Sequence, residues 1–86
     1  MKQFLVEVFT PRAAAHKLAS AERRATAAAT QLPAVRYVRA TYIPDDEICF
    51  FVFDARSGSD AALAAQRAGL DPIRVVEAVS SVEEGQ

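Results

Sequence analysis

The 86-residue chain has no tryptophan and only one cysteine, one histidine and one methionine. A single cysteine excludes an intramolecular disulfide and any two-cysteine zinc or redox motif. One histidine and one cysteine also leave too few soft ligands for a transition-metal site within one chain. Glycine is scarce at three residues, and none stands in a P-loop or a dinucleotide-binding fingerprint. No apolar run approaches membrane length, and Glu7 interrupts the first strand-like run, so neither a span nor a signal peptide is expected. Neither charge sign dominates: ten Lys and Arg against eleven Asp and Glu leave a net charge of −1. That balance is a poor footprint for nucleic acid or an anionic membrane, each of which asks for a basic patch. What is present is ordinary for a folded protein, 51% hydrophobic and 24% charged, which excludes disorder. The length suits one domain, and a domain this small buries only a little over ~60% of its unfolded surface. The expected location is the cytoplasm.

Residues 4–9 are rich in aromatic and β-branched side chains and end at Thr10-Pro11, which predicts a strand. The alanine-rich stretch 11–31 predicts a helix, with Thr10 as cap, Pro11 at the first helical position and Pro33 as the stop. Its apolar positions Ala14, Leu18, Ala21, Ala25, Ala28, Ala29 and Leu32 recur at three-and-four spacing, opposite His16, Ser20, Arg23 and Arg24. Small residues on the buried side let a helix lie close to a sheet. Residues 35–43 and 48–53 predict two strands of a hairpin joined by Pro44-Asp45-Asp46-Glu47. Ser57 and Asp60 form the S-x-x-D pattern that opens a second helix to about Ala68, closed by Gly69 in a left-handed conformation with Leu70 folded back. A last strand covers 73–79, within a single domain over 1–80, and 81–86 read as a flexible acidic tail.

The order βαββαβ predicts an α+β ferredoxin-like fold, a four-stranded antiparallel sheet with two helices on one face. Such a sheet should alternate apolar-in with polar-out. Here Phe4, Val6 and Val8 oppose Leu5, Glu7 and Phe9, and Ile48, Phe50 and Val52 oppose Cys49, Phe51 and Phe53. Both central strands are apolar on both sides, so the second face needs a lid. A homodimer stacking two open faces, the dimeric α+β barrel arrangement, supplies one, with Leu5, Phe9, Phe51 and Phe53 as candidate interface residues. A second lid would be single-stranded RNA, which the same fold binds through open-sheet aromatics. The segment Asp46 to Phe53 is superficially similar to that RNA-binding octamer, but acidic residues stand where its basic residue and glycine belong. A third lid would be another chain, for which the sequence is silent.

The hairpin from Tyr42 to Ala55 and the run Ala68-Gly69-Leu70-Asp71-Pro72-Ile73-Arg74-Val75-Val76-Glu77-Ala78-Val79 carry a family likeness. Together they resemble a family of small actinobacterial proteins of unknown function that includes a nickel-binding member, and the likeness covers nearly the whole chain. It implies a ferredoxin-like subunit that dimerises. The nickel-binding activity does not carry over, because that member relies on histidines around its first strand and helices. Only His16 remains here, with Gln66 and Arg67 in the second helix. His16 is thus the one metal candidate; no cofactor is expected, with nickel or another divalent metal at His16 as the alternative.

Among other residues, Glu7 and Glu77 are charged positions inside apolar strands that the topology makes neighbours. Either they pair with Arg36, Arg39 or Arg74, or one is buried in a pocket as a general acid or base, with Tyr37 or Tyr42 orienting a ligand. The candidate ligand-binding set is therefore Glu7, Tyr37, Arg39, Tyr42 and Glu77. Cys49 reads as a buried apolar thiol, and Asp45, Asp46 and Glu47 as a solvated turn. No Ser-His-Asp order or activated serine is present, so no catalytic residue is assigned. The sequence reading is a homodimeric, non-catalytic binding protein for a small ligand or a metal, with its pocket at the sheet face or the dimer seam. The alternative is a cofactor-independent enzyme of the dimeric α+β barrel kind, a monooxygenase or isomerase.

Overall fold

The computed structural model describes residues 1–80, and the tail expected over 81–86 lies outside them. The chain runs through β1 (Lys2–Phe9), a 3₁₀ segment (Arg12–Lys17), α1 (Leu18–Thr30), β2 (Arg36–Ile43), β3 (Ile48–Ala55), α2 (Gly58–Arg67) and β4 (Arg74–Ala78). The strands form one antiparallel sheet in the order β2-β3-β1-β4. This is the ferredoxin-like βαββαβ arrangement.

Alanine decides how the helices sit. Ala21, Ala25, Ala28 and Ala29 of α1 are buried with Ala61, Ala64 and Ala65 of α2, all against one side of the sheet. With only a methyl at each contact, both helices lie close, and the bulk of the core comes from the strands. Phe4 and Val6 of β1 and Cys49, Phe51, Phe53 and Ala55 of β3 supply it.

The first helix does not begin as its sequence suggests. Residues 12–17 wind as a 3₁₀ turn before the α-helix starts at Leu18. Thr10 is not the cap: its hydroxyl donates to the Val8 carbonyl (3.3 Å). The acceptor comes from the hairpin turn instead. The Glu47 carboxylate accepts the Arg12 N–H at 2.9 Å, and the Glu47 carbonyl accepts the Thr10 N–H at 2.7 Å. Glu47 does this from a left-handed backbone (φ 54°), so the carboxylate read as a solvated turn residue is a clamp between hairpin and first helix.

The second helix follows its signals. Ser57 Oγ accepts the Asp60 N–H at 3.2 Å at the N-terminus. At the other end Gly69, at φ +75°, donates to Gln66 and Leu70 donates to Ala65, the paired bonds of a Schellman motif.

Candidate functional site

Register fixes which side chains share the uncovered face. Cross-strand rows read Arg36–Asp54–Gln3–Ala78, Arg39–Val52–Leu5–Val76, Thr41–Phe50–Glu7–Arg74 and Ile43–Ile48–Phe9. The centre of that face is apolar, built by Leu5, Phe50 and Val52 on the two central strands. Its cations Arg36, Arg39 and Arg74 all lie on the edge strands. Arg74 donates to Glu7 at 3.0 Å, and Arg36 pairs with Asp54, which also accepts from Gln3. Arg39 has no ion-pair partner among the described residues.

The candidate interface residues divide. Leu5 and Phe9 are on the uncovered face, and Phe9 is 55% exposed. Phe51 and Phe53 are not: they are 1% and 0% exposed, beneath the helices in the core of the single chain. The reason is register. Phe53 stands opposite Phe4 and Phe51 opposite Val6, so they share the helix side, and Phe50 and Val52 take the open side.

The candidate ligand set does not come together either. Glu7 and Arg39 are on the open face, whereas Tyr37, Tyr42 and Glu77 are on the helix side. Glu77 stands opposite Phe4 and Glu7 opposite Arg74, so the two carboxylates sit on opposite faces and do not form a pair. Glu7, Tyr37, Tyr42 and Glu77 each have a partner of their own. The Tyr37 hydroxyl donates to Glu22 at 2.5 Å, the Tyr42 hydroxyl donates to the Thr10 carbonyl at 2.8 Å, and Glu77 lies 3.9 Å from Lys2. Burial, then the hydrogen bond to Glu22, holds the Tyr37 phenol well above its ordinary range. Burial, then the Glu22 charge, pushes the Cys49 thiol up to about 11. Both groups are held protonated at neutral pH.

His16 is an exposed residue of the 3₁₀ segment. Among the described residues no three His, Cys, Asp or Glu side chains gather as a metal site would need.

Among the described residues, two concavities stand out. A groove of about 450 Å³ at one end of the sheet is lined by Gln3, Arg36, Asp54 and Glu77 with the terminal residues. Its polar groups already satisfy one another through the Arg36–Asp54–Gln3 and Lys2–Glu77 contacts. A smaller cleft of about 230 Å³ opens at the opposite end, between the first helical segment, the end of β1 and the loop from α2 to β4. Its floor is apolar: Val8, Leu18, Phe51 and Leu70. Its rim carries Lys17, Arg24 and Asp71. The gap exists because Ala14, Ala21 and Gly69 stand where larger side chains would close it. The sequence reading assigned none of these as ligand contacts, although the alanine pattern located the buried side of the helix.

No family model matches the chain, and neither a curated protein nor a solved structure matches it. The likeness described above rests on the quoted residues alone.

Proposed function

We propose that the chain is a cytoplasmic, homodimeric, non-catalytic binding protein for a small ligand, held in the cleft between the first helical segment and the sheet. The observation that carries the ligand reading is the cleft itself: an apolar floor, a charged rim, and ionisable groups not consumed by ion pairs among the described residues. Few convergent polar groups over an apolar bed is the usual make-up of a small-molecule site. Binding without turnover is favoured over the enzymatic alternative by where the reactive groups are. Glu7 is tied to Arg74 on the other face, Tyr37 and Cys49 are held protonated, and His16 does not line the cleft. Acid–base work needs a group that can exchange its proton near neutrality within reach of the ligand.

The dimer reading is supported by the uncovered face. An apolar centre with cations confined to the edge strands has the anatomy of a protein interface, core and rim. A second copy offers the same surface and closes the pair by a two-fold axis.

Native mass spectrometry of the untagged protein tests both parts. A dimer retaining a small adduct supports them. A monomer removes the dimer. Fragment screening by amide chemical-shift mapping then tests the cleft separately: the reading fails if no fragment shifts the amides of Val8, Phe9, Thr10 and Leu70.

A further inference from the structure

We infer that the cleft selects a small apolar monoanion, a carboxylate carried on a single ring or branched chain. This inference rests on the ligand site proposed above and names its chemistry. Volume comes first. At about 230 Å³ the cleft falls below the ~300–1,000 Å³ of ordinary small-molecule pockets, which limits the occupant to one ring or a short branched chain. The floor selects an apolar body. Phe51 is 1% and Leu70 9% exposed, and the nearby Thr10 hydroxyl is already committed to the Val8 carbonyl. A hydrogen-bond acceptor such as a carboxylate pushed onto that floor would lose water without gaining a donor.

The rim selects charge. Two cations, Lys17 and Arg24, face one anion, Asp71, so the mouth is net positive. Arg24 is fixed in place: its Nε donates to the Ala68 carbonyl at 2.9 Å and its Nη1 to Ser20 Oγ at 3.1 Å. A guanidinium already held by the protein loses little freedom when an anion arrives. Lys17, seven positions earlier, is exposed and has no ion-pair partner among the described residues. Asp71 sets the upper limit on ligand charge. A dianion such as a phosphate monoester would exceed the rim's surplus of one positive charge and be repelled by the Asp71 carboxylate, whereas a carboxylate matches that surplus.

The test is a chemical-shift titration of the full chain with phenylacetate and with its neutral isostere phenylacetamide, repeated on Lys17→Gln. Lys17 is exposed, so the variant should fold as the parent does. The expected result is saturable movement of the Val8–Thr10 and Gly69–Leu70 amides. Phenylacetate should bind about threefold to fivefold tighter than the amide, the scale of one rim ion pair. That margin should shrink in Lys17→Gln and in high salt. Equal binding of the two probes at these amides overturns the charge selection while leaving the cleft a ligand site. Absence of movement with either probe overturns the inference, and if the fragment screen is equally silent the ligand reading fails with it.

Discussion

The Cys49 thiol is fully buried in the core, and the Glu22 carboxylate that raises its pKa also accepts the Tyr37 hydroxyl from the neighbouring strand. Both acids are harder to ionise in the folded chain than in the unfolded one, and the direction of the pH effect follows. In the unfolded chain the thiol loses its proton near 9.0; in the folded chain it holds it to about 11. Between those values the unfolded state binds fewer protons than the native state, so stability falls as pH rises, and the contribution is intact below 9. Tyr37 extends the fall at the alkaline end, since its own pKa lies above its ordinary 10.0. The urea midpoint should therefore decline from pH 9 upward, and in Cys49→Ala the decline should begin about one unit later. A midpoint that stays level from pH 9 to 11 in the parent would contradict the burial assigned to both groups. Tyr37→Phe isolates the hydrogen bond. Glu22 is only half-buried and can return to water, so the loss should be about 1–2 kcal/mol by denaturant titration at neutral pH.

At the scale of elements, the helix ends separate what was legible in the sequence from what was not. Ser57 and Gly69 are local signals, each acting within a few residues, and both ends of α2 follow them. Ser57→Ala should cost about 1 kcal/mol. Gly69→Ala should cost a similar amount, about 1 kcal/mol, through its left-handed backbone rather than through crowding, since the nearest atom to an added Cβ is 3.8 Å away. The start of the first helix was misread because its acceptor is 35 residues distant in the chain. No window around Thr10 contains Glu47. Replacing Glu47 by Ala should fray residues 12–17 and raise their amide exchange rates, while the exchange of α2 stays unchanged. Uniform acceleration across both helices would instead mark global destabilisation. The strand faces show the same divide. Alternation revealed that both faces of the central strands are apolar, but either set of β3 aromatics satisfied that pattern. Glu7 settles it, because its register partner is Phe50 and a half-buried carboxylate requires the open side and Arg74. The candidate site fared worse than the fold, since Glu7, Tyr37 and Arg39 are grouped by chemistry, whereas register puts Glu7 and Arg39 on the open face and Tyr37 on the helix side.

For the whole molecule, the apolar open face has to be reconciled with a small chain. Val52 is on that face yet only 2% exposed, sheltered by its row neighbours Leu5 and Arg39. The centre of the face is thus partly dry before any partner arrives, and the surface a second copy would remove from water lies toward the end of the sheet, at Phe9 and Ile43, 55% and 36% exposed. This tells against large central substitutions as probes of assembly, since Val52→Asp would bury a charge in the single chain and unfold it outright. Phe9→Asp avoids the difficulty. In the single chain its ring is more than half in water, so the substitution should lower monomer stability by no more than about 1 kcal/mol. In a face-to-face dimer the same change sets two carboxylates against an apolar interface, and the two-fold axis counts the penalty twice. Sedimentation equilibrium should then show the parent as a dimer and Phe9→Asp as a folded monomer with unchanged far-ultraviolet circular dichroism. If Phe9→Asp dimerises as tightly as the parent, the open sheet face is not the contact surface, and the apolar stripe would have to be explained by a different partner.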